Sequence, residues 1–394
     1  MKKLFSILAV IFMMLPMMAQ QNVGFRANAI VSPQVNPDKT VTIRLSAPKA
    51  VKVQVLGDWE GSMQGMSLEE MKQGANGLWE VTTKPLPSEM YTYRFIVDGL
   101  MMLDPVNPFT RRDVGNVFSI FYVGDGVADY YQVKDVPHGN VTTTWYHSDA
   151  MQMDRRLTVY TPAAYNTQPG RRFPVLYLLH GSGGDETAWL DLGHVTRIMD
   201  NLIAEGKAEP MIVVMPNGNF RKAAAPGETS ENLSYKPAMS NTFPGYKDGQ
   251  YETSFNEIIK FTDKSFRTKA DKNHRAIAGL SMGGFHTFFT SLNHPDKFAY
   301  IGLFSAGMDF SQLDMTLPAY SDIDGKLQRL KKSGYKYYWM ACGTDDFLWA
   351  ANQKIFAQIQ DNGLTDAEFH KTTRGHIWSN WRQYLVLFSQ KLFK

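Results

Sequence analysis

The stretch Ala278-Gly279-Leu280-Ser281-Met282-Gly283-Gly284 constrains the fold of this chain more than any other, because it directly follows an apolar run at residues 275–278. Glycines two positions before and two positions after Ser281 are typical of a buried strand that turns sharply into a helix. Such a turn pushes the serine hydroxyl out at the edge of a sheet. The pattern is short, so it must be supported by the rest of the chain.

The second part of the chain supplies that support as alternating strand and helix patterns. Short continuous apolar runs, typical of strands covered on both faces, lie at residues 175–179, 211–215, 276–278, 300–304 and 337–341. Helical stretches separate them, and two antiparallel strands precede them at residues 141–145 and 156–160. This alternation predicts a doubly wound, mostly parallel sheet in a domain that spans residues 140–394.

The first part of the chain has a different pattern. Between residues 28 and 123, apolar and polar residues alternate in several short segments, such as 41–45, 51–55 and 91–97, with turn residues between them. These segments predict an all-β sandwich, immunoglobulin-like in layout, over residues 21–125. A linker is expected at residues 126–139.

The N-terminus reads as a targeting segment. Two lysines are followed by an apolar run from Leu4 to Met18, which predicts a signal peptide over residues 1–20. A membrane anchor would need about 20 apolar residues, and no cysteine stands nearby to accept a lipid. We therefore expect a secreted or periplasmic protein that is not held in a membrane after cleavage.

Charge and cysteine content narrow the function classes. Without Lys2 and Lys3 the chain carries 39 basic and 38 acidic residues, so nothing favours binding to nucleic acid or to an anionic membrane. The single cysteine, Cys342, excludes an intramolecular disulfide and is expected to be a small buried hydrophobic residue. The oligomeric state is not predicted.

Three further segments fall at the ends of predicted strands and complete a catalytic pattern with Ser281. The glycine-rich loop at residues 181–184 follows the first core strand, and the amides of Ser182 and Met282 are the expected oxyanion donors. Asp345 and Asp346 follow a later strand, and His376 lies 30 residues beyond Asp346. The order serine, aspartate, histidine is that of the α/β hydrolase fold.

The roles follow from proton chemistry. A serine hydroxyl is a weak nucleophile, so His376 must take its proton and pass it to the leaving alcohol, while an aspartate orients the imidazole. The spacing leaves Asp345 and Asp346 both open as that acid. We expect His180 to shape the glycine-rich loop and not to act as the base. Protein groups supply every step, so no metal or other cofactor is expected.

Short sequence motifs in both parts of the chain resemble those of known families. Gly57-Asp58-Trp59, Gly77-Leu78-Trp79 and residues 91–99 are similar to the family-48 carbohydrate-binding modules. Residues 178–184, 274–284, 343–346 and Gly375-His376 resemble carbohydrate esterase family 1, the esterase D-like serine esterases. This second resemblance implies that Asp346 is the acid. The sequence departs from the family pattern at Arg374, where a glycine is usual.

The combination looks like the feruloyl and acetylxylan esterases that act on plant cell-wall polysaccharide. The resemblance implies a feruloylated or acetylated xylan as the partner and hydrolysis through an acyl-enzyme. An acetylxylan esterase, an enterochelin-type siderophore esterase, an acyltransferase and a non-catalytic polysaccharide-binding protein remain alternatives. Aromatic residues expected to bind the acyl group are Trp189, Trp378, Tyr246 and Phe243, while Trp59 and Trp79 are either sugar platforms or core residues.

Overall fold

The computed structural model describes residues 30–59, 66–220, 222–229, 248–308, 310 and 313–394. The expected signal peptide at residues 1–20 lies outside the described residues, as do Phe243 and Tyr246. Within the described part of the chain, no helix has the length and apolar character needed to cross a membrane.

The N-terminal part is a sandwich of two sheets. One sheet has the strand order β1-β2-β6-β5, and the other has the order β4-β3-β7-β10-β9, with β8 paired to β7. Their bounds are β1 Gln34–Val35, β2 Val41–Ser46, β3 Val53–Gly57, β4 Ser67–Glu70, β5 Lys72–Gln73, β6 Leu78–Thr82, β7 Glu89–Val97, β8 Leu100–Met102, β9 Thr110–Asp113 and β10 Asn116–Val123.

The core of the sandwich forms because alternate residues of each strand point inward. Val53 and Val55 of β3 and Tyr93 of β7 are buried in one hydrophobic cluster. Trp59 and Trp79 belong to the same cluster and keep only 7% and 6% of their surface exposed. The sugar-platform interpretation of these two tryptophans is therefore wrong, since a ring in the core cannot stack on a sugar.

The C-terminal part is built on one eight-stranded sheet of order β11-β12-β14-β13-β15-β16-β17-β18. Strand β12 pairs antiparallel with both β11 and β14, and every pairing from β14 to β18 is parallel. Its strands are β11 Asn140–Ser148, β12 Met153–Thr161, β13 Val175–Leu179, β14 Ile212–Pro216, β15 Arg275–Leu280, β16 Tyr300–Phe304, β17 Tyr337–Gly343 and β18 Glu368–Thr372.

Helices cover both faces of this sheet, which explains why its central strands are buried along their whole length. The helices are α1 Ala164–Thr167, α2 Ala188–Asp191, α3 Val195–Ala204, α4 Gln250–Ser254, α5 Asn256–Ser265, α6 Met282–Asn293, α7 Ile323–Ser333, α8 Trp349–Asp361 and α9 Trp378–Ser389. Residues of α5, α6, α7 and α8 pack in the cluster on one face, and residues of α3 and α9 pack in the cluster on the other.

The segment expected to be a linker, residues 126–139, is packed against the C-terminal part. It contains a single 3-10 turn over Val127–Tyr131, in which Ala128 and Tyr131 are buried. The side-chain amide of Asn201 on α3 donates to the carbonyl oxygens of Tyr130 and Gln132, at 3.1 and 2.9 Å. These contacts and the two buried residues dock the segment on α3, so it does not behave as a free tether between the two parts.

Candidate active site

Ser281 sits in the sharp turn between β15 and α6. Its backbone has φ 52° and ψ −117°, a region that residues with a side chain seldom adopt. A Cβ on Gly279 would lie 2.4 Å from the carbonyl oxygen of Gly283, and one on Gly283 would lie 2.4 Å from that of Leu179. The two glycines are therefore required by close backbone approach on either side of the serine.

The turn brings the Ser281 hydroxyl to His376, which follows β18. Ser281 Oγ lies 2.9 Å from His376 Nε2, and His376 Nδ1 lies 2.9 Å from Asp346 Oδ2 and 3.1 Å from Oδ1. Because the carboxylate accepts from Nδ1, Nε2 carries the lone pair that faces the hydroxyl. The arrangement can remove a proton from Ser281 as it attacks a carbonyl carbon.

Asp346 and Asp345 occupy different environments. Asp346 is buried, and the amide of Leu348 donates to its Oδ1 at 2.9 Å, which fixes the carboxylate toward the histidine. Asp345 is exposed. Of the two acids that the spacing left open, Asp346 is therefore the one placed beside His376.

The glycine-rich loop lies directly against the serine. A Cβ on Gly181 would come within 3.2 Å of the Ser281 Cβ, and Ser182 lines the same cavity as Ser281. Met282 is the first residue of α6, so its amide belongs to the free N-terminal end of that helix. These positions suit the oxyanion role expected for the amides of Ser182 and Met282.

His180 braces this loop. Its Nδ1 donates to the Gly181 carbonyl oxygen at 2.8 Å, and its Nε2 accepts from the Gly218 amide at 2.8 Å. Burial lowers the pKa of His180 to about 4, so the ring stays neutral and keeps both hydrogen bonds at neutral pH. The ring therefore links the loop to Gly218, just beyond the end of β14.

Arg374 occupies the position where a glycine is usual, and its backbone has a φ of 68°. Its carbonyl oxygen accepts from the Asp345 amide at 3.2 Å and lies close to Gly343, where a Cβ would meet it. The backbone of this loop therefore keeps the left-handed geometry that suits glycine, at a cost of about 1 kcal/mol for a residue with a side chain.

A cavity of about 400 Å³ opens above Ser281 and His376. Trp378 and Trp381 line it from the start of α9. Trp189 is not among its lining residues: this ring is buried, donates to the Leu179 carbonyl oxygen at 3.0 Å and packs edge-on against Trp378 at 5.3 Å between ring centroids. The acyl-contact prediction for Trp189 is therefore corrected to a supporting position behind Trp378.

Two residues of this region have no sequence pattern that marks them. Trp381 packs edge-on against the His376 ring at 4.8 Å, and Phe347, which is 70% exposed, lies 4.7 Å from the same ring. Phe347 directly follows the acid, so its position beside the histidine could have been inferred once the acid was known. Trp381 is five residues beyond His376, which lies before the start of α9, so the spacing gave no helical signal for this contact.

Other candidate groups have structural surroundings. His286 is buried and its Nδ1 lies 2.6 Å from Glu252 Oε1. Cys342 is buried, and burial raises its pKa to about 12, which keeps it a thiol at neutral pH. In the described ranges, no group of three or more histidine, cysteine and acidic side chains could hold a metal ion.

Both parts of the chain match models of known protein families. The family model described as "Putative esterase" matches residues 148–390, and the one described as "Glycogen recognition site of AMP-activated protein kinase" matches residues 40–128. They confirm the expected esterase fold of the C-terminal part and the carbohydrate-binding type of the β-rich N-terminal part.

An endo-1,4-beta-xylanase/feruloyl esterase of Xylanibacter ruminicola is 30% identical over 92% of this chain, and the chain spans 46% of that relative's length. A solved ferulic acid esterase is 28% identical with a TM-score of 0.53, and the match covers 64% of this chain and 97% of that one. The enterobactin esterase FES of Shigella flexneri shares the fold over 90% of this chain and 93% of its own, with a TM-score of 0.62 and 16% identity.

Proposed function

Because the chain belongs to this esterase family and is a carboxylic ester hydrolase, we propose that it hydrolyses feruloyl esters on plant cell-wall arabinoxylan. The observation that carries the proposal is the line of hydrogen bonds from Ser281 through His376 to Asp346, placed at the floor of a cavity with tryptophan walls. The sequence similarity to a xylanase/feruloyl esterase supports the same substrate class.

The proposed mechanism uses protein groups alone. Ser281 Oγ attacks the ester carbonyl as His376 Nε2 takes its proton, and the amides of Ser182 and Met282 stabilise the oxyanion. As the bond from the carbonyl carbon to the sugar oxygen breaks, His376 gives that proton to the leaving oxygen, and a feruloyl group stays esterified to Ser281. Water then attacks this acyl-enzyme with His376 again as the base; the bond to Ser281 Oγ breaks, His376 returns the proton to Oγ, and ferulate is released. Asp346 stabilises the imidazolium in both halves.

The cavity favours a feruloyl group over an acetyl group. Its volume of about 400 Å³ falls in the range of ~300–1,000 Å³ found for pockets that hold small organic ligands. An acetyl group has no atoms beyond its methyl group, so the Trp378 and Trp381 rings would make no contact with the acyl part of the substrate. Acetylxylan esterase activity is the alternative that this comparison disfavours.

The test is to incubate the protein with wheat arabinoxylan and, separately, with acetylated xylan, and to identify the acid released. We expect ferulate to be the main product. Acetate alone would contradict the feruloyl proposal and support the acetylxylan alternative. Excess free sugar separates hydrolysis from acyl transfer, because a transferase would yield an esterified sugar in place of the free acid.

Two aromatic substitutions test the predicted contacts with the acyl group. Trp378→Ala and Tyr246→Ala should lower the preference for feruloyl over acetyl esters, whereas Ser281→Ala should abolish hydrolysis of both. If the preference were unchanged in both aromatic variants, these rings would not contact the acyl group.

We further propose that the protein is secreted after cleavage near residue 20. N-terminal sequencing of the exported protein would test this.

A further inference from the structure

The cavity above Ser281 has walls from both parts of the chain. The esterase part contributes the floor, with Ser281 and His376, and the tryptophans of α9. The sandwich contributes a facing wall formed by Asp58, Met66, Thr92, Asp113, Val114 and Phe118. We call these six residues the sandwich wall. An acyl group bound to Ser281 that extends across the cavity therefore reaches residues of the N-terminal module.

A buried and a partly buried ion pair hold the sandwich wall in place. The guanidinium of Arg382 on α9 donates to Glu89 Oε1 from Nε at 3.0 Å and from Nη2 at 2.8 Å, and both side chains are buried. Arg112 of β9 donates to Asp185 Oδ2 at 2.7 Å and to Thr187 Oγ1 at 2.9 Å, next to the glycine-rich loop. The wall is thus anchored on two sides of the site.

The sandwich wall carries the acidic groups that line the cavity. Among the described residues that line the cavity, the acidic ones are Asp58 and Asp113. Burial raises the pKa of Asp113, and the neighbouring Trp378 side chain acts in the opposite direction. Asp58 accepts from the Thr92 amide at 2.8 Å through Oδ1 and from the Thr92 hydroxyl at 2.9 Å through Oδ2. Each oxygen retains acceptor capacity for one more hydrogen bond.

At the pH of an ordinary assay, the Asp58 side chain is ionised and can accept hydrogen bonds. Burial raises its pKa to about 6, and the Thr92 hydrogen bonds and the Arg382 charge lower the pKa against that effect. At pH 7.5 the group is therefore mainly a carboxylate. A carboxylate beside an aromatic cavity is suited to accept a hydrogen bond from a phenolic hydroxyl.

We propose that the sandwich wall completes the acyl pocket and that Asp58 accepts a hydrogen bond from a hydroxyl group on the aromatic ring of the acyl substrate. This inference rests on the proposed function and deepens it. It gives the N-terminal module a part in the choice of acyl group, separate from any contact with polysaccharide.

Small esters without a sugar polymer isolate that choice. The experiment measures kcat/KM at pH 7.5 for methyl ferulate, for methyl cinnamate, which lacks the hydroxyl, and for 4-nitrophenyl acetate. In Asp58→Asn, the value for methyl ferulate should fall about 10-fold or more, the size expected for a hydrogen bond to a charged group. The values for the other two esters should stay within about twofold.

Asp98→Asn is the matched control, because Asp98 also accepts backbone amides of the sandwich, from Val51 and Lys52, and does not line the cavity. A uniform loss on all three esters in Asp58→Asn, or an unchanged ratio of ferulate to cinnamate, would overturn the role of Asp58. A wild-type protein inactive on methyl ferulate would instead refute the proposed function and this inference with it.

Phe118→Ala tests the wall independently of Asp58. The ring lines the cavity, and the Arg94 guanidinium lies over it, 4.1 Å from the ring centroid. We expect kcat/KM for both aromatic esters to fall about fivefold or more while 4-nitrophenyl acetate is unaffected. If the variant changed kcat/KM by the same factor for all three esters, relative to wild type, the acyl group would not reach the sandwich.

Discussion

At the scale of single residues, adjacent positions in the sequence have opposite roles. Asp346 is buried with its Oδ2 2.9 Å from His376 Nδ1, while Asp345 is exposed. The backbone turn after β17 decides which carboxylate faces inward. Loss of the acid from such a triad leaves the histidine with the wrong tautomer or orientation, an effect of about 10⁴ in kcat in a serine protease.

We therefore expect Asp346→Asn to lower kcat for a feruloyl ester by about 10³- to 10⁴-fold. Asp345→Asn, one position away, is the matched control and should stay within about twofold. Steady-state kinetics on methyl ferulate measure both. A comparable loss in both variants, or a loss confined to Asp345→Asn, would contradict the assignment of the acid.

His180 makes a pH-dependent contribution to stability. Its pKa is about 4 in the folded protein and 6.5 in the unfolded chain, so between these values the unfolded chain binds the proton and the folded protein does not. The contribution is fully present above pH 6.5 and is lost as the pH falls toward 4. Its size is about 3 kcal/mol from the difference in pKa.

The difference in free energy of unfolding between wild type and His180→Gln should therefore shrink by about 3 kcal/mol between pH 7 and pH 4. The glutamine can still donate to Gly181 and accept from Gly218, so the loop is retained. Urea denaturation at each pH gives the values, and His147→Gln, at an exposed histidine, is the control. A difference independent of pH would refute the buried neutral state of His180.

At the scale of elements, the strand-to-helix turn at Ser281 depends on close packing of β15 and α6 against the end of β13. Gly283 lies under the carbonyl oxygens of Leu179 and His180, at 2.4 and 2.6 Å from an added Cβ. Backbone atoms cannot move aside as flexible side chains do. The helix would have to shift and carry the Met282 amide with it.

Gly283→Ala should thus destabilise the protein by about 2 kcal/mol or more, as other overpacked sites do, and lower kcat with little change in KM. Gly170→Ala is the control, because an added Cβ there meets no atom within 4 Å. Thermal denaturation and steady-state kinetics report both effects. An active Gly283→Ala protein with wild-type stability would contradict this account of the turn.

At the scale of the whole molecule, the sandwich and the esterase part share a hydrophobic cluster. Met90 and Ile120 of the sandwich and Ala128 and Tyr131 of the connecting segment pack in the same cluster as Tyr384 of α9. The buried Arg382–Glu89 pair crosses this interface. We expect the two parts to unfold together, since neither can expose its share of the cluster without cost.

Arg382→Met should lower the free energy of unfolding by about 3–5 kcal/mol, because it leaves Glu89 buried without its partner. Arg329→Met removes an exposed ion pair with Asp322 and should cost at most about 1 kcal/mol. Chemical denaturation followed by tryptophan fluorescence measures both. Equal effects would show that the interface pair contributes no more than a surface contact.

The sequence by itself determined the features that local patterns encode. Continuous apolar runs marked the central strands, and the glycines around Ser281 marked the turn, because each depends on residues a few positions apart. His376 and the pair of aspartates could be found because they follow such strands. The fold class and the chemistry of the site were predictable for this reason.

Only the tertiary structure decided how the parts combine. It selected Asp346 over Asp345, moved Trp189 behind Trp378, and placed Asp58 of the sandwich in the same cavity as Ser281. Contacts between residues far apart in the chain leave no periodicity or fixed spacing in the sequence. They arise when two separately encoded surfaces bury each other, and the outcome depends on shape and charge across the interface.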